Sequence, residues 1–169
     1  MKLFIDMDNT ITAFDATVEA LGPEAAQGLS DKATEVQKQV MYDAIEKAGI
    51  KFWSSMPWKM GGKQLWAMVQ PFRPTLLTSP GEFTYAVNGK QIWVKRNIPG
   101  TSIYFSDSKS EYVDPYELSV LIDDRKNNID AWKECGGIGI LHTSFEETEK
   151  KILELTWDVP HISADLKYW

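Results

Sequence analysis

Leu3-Phe4-Ile5-Asp6-Met7-Asp8-Asn9-Thr10 sets an apolar run directly against two carboxylates spaced i and i+2. The run is short enough to be a buried strand, and the acids fall on the turn that would follow it. A second run, Val120-Leu121-Ile122, ends the same way in Asp123-Asp124-Arg125. In an open α/β sheet the ligand crevice lies outside the carboxyl ends of the strands, so two strand ends far apart in the chain would bring four carboxylates together. Four clustered carboxylates need a cation. The expectation is Mg²⁺ with a phosphate beside it.

Working outward, Leu76-Leu77, Ile103 to Phe105 and Ile138 to Leu141 are further short apolar runs bounded by polar, Gly or Pro residues, and read as buried parallel strands. Helical patterns lie between them. Ala33, Val36, Val40, Met41, Ala44, Ile45 and Ala48 recur at helical spacing, with Ser30 as the expected N-cap and Gly49 as the stop. Ile129 to Cys135, ended by Gly136-Gly137, and Lys90 to Arg96 read as helices. Ser144 and Glu147 have capping-box spacing ahead of Ile152, Leu153 and Leu155. The alternation predicts an α/β fold, a doubly wound parallel sheet with helices on both faces. Residues 15–60 hold helices but no convincing strand. They are expected to form a small helical cap inserted after the first strand, leaving 1–14 and 61–169 as the core domain. The tail from Pro160 to Trp169 is aromatic without a clear period.

The 169 residues fit one core plus a small insert. A net charge of −6 argues against sequence-independent binding of duplex nucleic acid. Cys135 is the only cysteine, which excludes a disulfide framework and a thiolate zinc site. No apolar run approaches the ~20 residues of a membrane span, and a strand starting within two residues of Met1 leaves no room for a signal peptide. The expectation is a soluble cytoplasmic protein that binds neither membrane nor duplex. Nothing in the pattern speaks to its oligomeric state.

Asp6 and Asp8 can divide the labour of phosphoester hydrolysis, one attacking phosphorus and the other protonating the leaving oxygen. Asp123 and Asp124 suit the cation that offsets repulsion between carboxylate and phosphate. Taken alone, Asp-x-Asp after a strand is more often an Asx turn or a helix N-cap. Thr78-Ser79 before Pro80-Gly81 can present hydroxyls and backbone N–H groups to phosphate oxygens, although an ordinary strand-to-helix turn has the same composition. Lys109 follows the run Ile103 to Phe105 and can supply positive charge. Lys90, Lys95 and Arg96 surround Trp93 on a helix whose charges are expected mostly to face solvent. Each element is weak by itself, but every candidate falls at or shortly after the end of an expected strand.

That order, Asp-x-Asp-x-Thr, Thr or Ser after a strand, Lys, then Asp-Asp after another strand, resembles the haloacid dehalogenase superfamily. The resemblance implies a Rossmann-like core binding Mg²⁺, with Asp6 as nucleophile and Asp8 as acid/base. It implies metal ligation by the Asp6 carboxylate and the Asp8 main-chain carbonyl, completed by Asp123 and Asp124, with Asp124 as the direct ligand. Thr78 and Lys109 would bind the phosphoryl group. A narrower likeness, from Asp6 to His142, is to the 5′(3′)-deoxyribonucleotidases. It is carried by Asp6-Met7-Asp8 with Phe14, Phe52-Trp53 before Met56-Pro57, Thr78-Ser79-Pro80, Lys90-Gln91-Ile92-Trp93-Val94 and Leu121-Ile122-Asp123-Asp124-Arg125. It implies that Phe14, Phe52 and Trp53 line a nucleoside pocket and that Lys90 assists phosphate binding. Aromatic faces suit a flat base, but packing a cap against a core is their commoner use. Asn9-Thr10 stands where that family has Gly-Val, the insert is short, and Lys109 lies farther from Asp123 than the family's spacing.

The expected function is therefore Mg²⁺-dependent phosphomonoester hydrolysis through an aspartyl-phosphate, with a nucleotide as the small-molecule partner. Alternatives are a phosphatase for another small phosphomonoester such as a sugar phosphate, a phospho-accepting receiver module, or a nucleotide-binding module without turnover. A receiver places its adjacent acidic pair first and its acceptor on a middle strand, the reverse of the order here. With only His142 and His161, a histidine-based hydrolase is poorly supported.

Overall fold

The computed structural model describes residues 1–158, with side chains described through Leu155; the aromatic tail from Pro160 lies outside them. Five strands form one all-parallel sheet: β1 (Lys2–Ile5), β2 (Thr75–Thr78), β3 (Ile103–Phe105), β4 (Ser119–Asp123) and β5 (Ile138–Leu141). Their spatial order is β3-β2-β1-β4-β5. The chain builds outward from β1 to β3, then returns to place β4 on the other side of β1. That reversal makes the β1/β4 edge the topological switch point, where such sheets open a crevice.

Side chains alternate across the sheet, as strand geometry requires. Leu3, Ile5, Leu76, Val120 and Ile122 enter one buried cluster, while Phe4, Leu77 and Leu121 enter another with Ile129 and Trp132. Both faces are thus covered, which explains why the strands read as unbroken apolar runs rather than alternating ones. Ile5, Leu76, Leu77, Leu121 and Ile122 are fully buried, each contributing about 1.5–3 kcal/mol relative to exposure.

The helices are α1 (Phe14–Glu19), α2 (Pro23–Ala26), α3 (Glu35–Ala48), α4 (Ile50–Ser54), α5 (Gly62–Val69), α6 (Ala86–Asn97), α7 (Lys126–Glu134) and α8 (Phe145–Asp158). Single 3₁₀ turns occur at Gln27–Leu29, Gln70–Phe72 and Lys109–Tyr112. The insert is helical, as expected. Its stems run side by side: Ala13 N donates to Pro57 O at 2.9 Å and Lys59 N to Ile11 O at 2.9 Å.

Several boundaries differ from the sequence-based expectation. Helix α3 begins at Glu35, not after Ser30, because Thr34 and Gln37 form the reciprocal capping box; Ser30 Oγ instead accepts from Lys32 N at 3.2 Å. On the expected apolar stripe only Met41 and Ile45 are buried, whereas Val36 is 73% exposed. Helix α5 was not legible as a separate element. Gly49 does stop α3, at φ 63°, and Ser144 Oγ accepts from Glu147 N at 3.2 Å at the start of α8.

Helix α4 lies tightly on α6. A Cβ on Gly89 would stand 2.3 Å from Trp53 Cβ and 3.1 Å from Ile50 O, so only glycine permits this approach. Trp93 Nε1 donates to Met56 O at 2.7 Å, and Arg96 Nη1 to Ser54 O at 3.3 Å. The returning end of the insert is thereby held to the helix that follows β2.

Candidate active site

The register pairs Ile5 with Ile122, and Asp6 N donates to Ile122 O at 2.8 Å. This continuation of the β1/β4 ladder carries both acidic turns past the same sheet edge. Carboxylate oxygens of Asp6, Asp123 and Asp124 lie within 4.8 Å of one another. Three of the four acids of the two motifs thus meet across more than a hundred residues of sequence.

Two buried lysines brace the cluster. Lys109, on the 3₁₀ turn after β3, donates to Asp6 Oδ1 at 2.5 Å and to Asp123 Oδ2 at 2.6 Å. Burial works against its charge, but the Asp6 and Asp123 carboxylates more than offset that and hold its pKa above the ordinary lysine value. Lys90 does not face solvent as its helix suggested. Its side chain is completely buried, because α6 points it into the site, where Nζ donates to Asp8 Oδ2 at 2.7 Å, Thr78 Oγ1 at 2.8 Å and Ser79 O at 2.7 Å. Lys95 and Arg96 are exposed, as expected.

The carboxylates differ in their surroundings. Asp123 is fully buried and accepts from Lys109, from Arg125 N at 2.8 Å and from Asn128 Nδ2 at 3.0 and 3.1 Å. Burial still pushes its carboxyl up, reinforced by the charge of Asp6. Asp124 is raised to about 7 by burial and then by the charges of Asp6 and Asp123. Asp8 is raised by burial; Lys90 pulls it down and Asp6 pushes it up again. Its Oδ1 is buried with no hydrogen-bond partner among the described residues.

Thr78 is fully buried at the end of β2 and holds Lys90 through its oxygen, leaving its hydroxyl proton free to donate. The Ser79 hydroxyl donates to Asp107 Oδ1 and accepts from Gly81 N at 3.1 Å. Phe14, Phe52 and Trp53 form one aromatic group, with ring centroids 4.9–5.9 Å apart. Lys90 Nζ lies 5.1 Å from the Trp53 ring centroid, which sets this group beside Asp8. Phe52 and Trp53 are 4% and 2% exposed, while Phe14 is half-buried.

Three contributors have no role assigned by the sequence reading. Asn128 clamps Asp123 from the first turn of α7, a spacing that a strand-end Asp followed by a helix does hint at. Thr10 Oγ1 reaches Asp6 Oδ2 at 3.5 Å. Asn9 takes the left-handed conformation at φ 56°, which asparagine tolerates better than most residues. It therefore serves where a glycine would, and its side chain pairs with Asp15.

An all-oxygen carboxylate set in which Asp124 is pushed up by burial and by the neighbouring acids is chemically matched to a hard divalent cation such as Mg²⁺. Asp6 and Asp124 would hold it, with Asp123 locked behind them by Lys109 and Asn128.

Solved structures share this architecture. A haloacid dehalogenase-like family hydrolase from Streptococcus pneumoniae matches over 83% of this chain and 83% of its own, with TM-score 0.52 and 14% identity. The fold is haloacid dehalogenase-like. A hydrolase from Streptococcus pneumoniae TIGR4 matches over 90% of this chain and 97% of its own, at TM-score 0.52 and 13% identity. A hydrolase from Pseudomonas syringae matches over 88% and 89%, at TM-score 0.50 and 14% identity. No protein-family model and no curated protein sequence matches the chain. At these identities the likeness is one of fold, and the haloacid dehalogenase-like sheet places its carboxyl ends where the acidic hollow lies. Among the described residues no helix is long and apolar enough to cross a membrane.

Proposed function

We propose that this chain is a Mg²⁺-dependent phosphomonoester hydrolase that works through an aspartyl-phosphate, with a nucleoside monophosphate as its substrate and the cytoplasm as its location. The observation that carries the reading is the convergence of Asp6, Asp123 and Asp124 with Asp8, Thr78 and Lys109 at the switch point of a haloacid dehalogenase-like sheet.

In the first step an Asp6 carboxylate oxygen attacks phosphorus in line. The bond from phosphorus to the ester oxygen breaks, and Asp8 gives that oxygen its proton. In the second step Asp8 takes a proton from water, whose oxygen attacks phosphorus; phosphate leaves and Asp6 is regenerated. Asp8 must start protonated, and the burial that raises its carboxyl supports that state. Lys109 keeps Asp6 oriented, Thr78 donates to a phosphoryl oxygen, and Lys90 fixes Asp8 and the Thr78–Ser79 turn relative to each other. Bound Mg²⁺ supplies charge neutralisation between the Asp6 carboxylate and the incoming phosphate dianion.

The aromatic group beside Asp8 supports a nucleotide substrate, with the half-buried Phe14 offering a ring edge or face to a base. A 5′(3′)-deoxyribonucleotidase is the narrowest form of this reading. The burial of Phe52 and Trp53 favours a second one, in which these rings only pack the insert and the substrate is a smaller phosphomonoester such as a sugar phosphate. A panel of ribo- and deoxyribonucleoside monophosphates and sugar phosphates, assayed with Mg²⁺ and with EDTA, separates them. Preference for deoxynucleotides supports the first and preference for sugar phosphates the second. Metal-independent hydrolysis, or none, contradicts both.

A further inference from the structure

Hydrogen-bond capacity at the acidic hollow singles out a lysine outside every motif. An ammonium carries three N–H donors. Lys90 commits all of its donors, to Asp8, Thr78 and Ser79. Lys109 commits two, to Asp6 and Asp123. Lys59 makes one described side-chain hydrogen bond, from Nζ to the main-chain oxygen of Asn9, immediately after Asp8.

The backbone holds Lys59 at this place. Its N–H donates to Ile11 O at 2.9 Å, and Thr12 bridges to Trp58 beside it. Gly62 lets the segment close on the acidic turn, since a Cβ there would stand 2.6 Å from Ile11 O. Across the hollow, the positive charge of Lys59 is felt by both Asp124 and His142. The Lys59 Nζ is seated on the turn after β1 by the bond to Asn9 O. Arg125, the other cation felt by Asp124, is exposed to solvent.

Charge balance points the same way. Lys90 and Lys109 already direct their donors to protein acceptors within the hollow, so a phosphate dianion entering beside a divalent cation calls for another positive group to meet it. A further cation with free donors answers that need, and charge-assisted hydrogen bonds to phosphate are among the stronger polar contacts.

We infer that Lys59, carried on the returning stem of the insert, binds the phosphate group of the ligand directly. The inference rests on the phosphatase reading above and adds to it a ligand contact from outside the core domain. Because the insert would then touch the ligand through its own stem, phosphate binding and insert position are coupled.

The test uses inorganic phosphate as the probe. In the wild-type protein with Mg²⁺, acylation of lysines by acetic anhydride is followed by mass spectrometry, with phosphate or with chloride at equal ionic strength. Phosphate is expected to slow labelling of Lys59 several-fold while leaving Lys126, 76% exposed, unchanged. Lys59→Gln is expected to raise the inhibition constant of phosphate by about tenfold, and Lys59→Arg to keep it within about threefold of wild type, the scale of one charge-assisted hydrogen bond. Phosphate that inhibits turnover yet neither protects Lys59 nor loses affinity in Lys59→Gln overturns this inference and leaves the phosphatase reading standing. A wild-type protein that binds no phosphate at all overturns both.

Discussion

Lys90 illustrates how far a side chain's meaning depends on what the fold sets against it. A lysine flanked by Gly89 and Gln91 on a helix reads as solvated, yet its ammonium is fully enclosed by three acceptors. Removing one partner of a buried ion pair leaves the other charge uncompensated, so Lys90→Met should lower stability by about 3 kcal/mol in urea denaturation. A loss below about 0.5 kcal/mol would mean that the pair with Asp8 holds nothing together. Asp124 carries a second prediction. Its carboxyl lies near 7 when folded against 3.8 ordinarily, so between those values the folded chain keeps a proton that the unfolded chain has released. That contribution favours folding at low pH and is lost as pH rises through about 7. His142, held down to about 4 by burial and then by Lys59 and Lys151, acts oppositely. Its contribution is present above 6.5 and is lost as pH falls toward about 4. Since a cation binds the ionised carboxylate, Mg²⁺ should raise the melting temperature more at about pH 8 than at about pH 5.5. Equal rises at both values would remove Asp124 from the metal's ligands. The acids themselves were legible because a carboxylate after a buried strand stands out against its apolar neighbours. Lys59 and Asn9 were not, since their roles come from a main-chain carbonyl and a backbone angle that leave no compositional mark.

At the scale of elements, strand positions were read nearly to the residue because both faces of the sheet are buried and the runs are uniformly apolar. Helix ends were read less well. The start of α3 was misplaced by several residues, since Ser30 and Thr34 are both competent caps and only the Gln37 side chain decides between them. The α4–α6 contact was invisible for a different reason: it joins residues 50–54 to 86–97 through the absence of a side chain at Gly89. Filling that gap forces Trp53 and the α4 backbone outward. Gly89→Ala should therefore cost about 1–3 kcal/mol, read as a fall in the denaturant midpoint. An unchanged midpoint would show that the two helices separate freely, and the coupling of the insert to the core would be weaker than its packing suggests.

For the whole molecule, the order β3-β2-β1-β4-β5 matters more than any one element, because it is the reversal beside β1 that turns two distant acidic motifs into one hollow. The division into a 15–60 cap and a 1–14 plus 61–169 core is proposed with one refinement: α4 packs on the core helix α6, so any motion of the insert would involve the segment before it. The central claim is that Asp6 becomes covalently phosphorylated in that hollow. It is tested most directly by quenching the protein in acid during Mg²⁺-supported turnover, reducing the acyl-phosphate with borohydride and mapping the modified residue by mass spectrometry. The account predicts homoserine at position 6, absent with EDTA and absent in Asp6→Asn, which should fold normally but not turn over. Modification at another residue, or an Asp6→Asn protein that hydrolyses substrate at the wild-type rate, would contradict it.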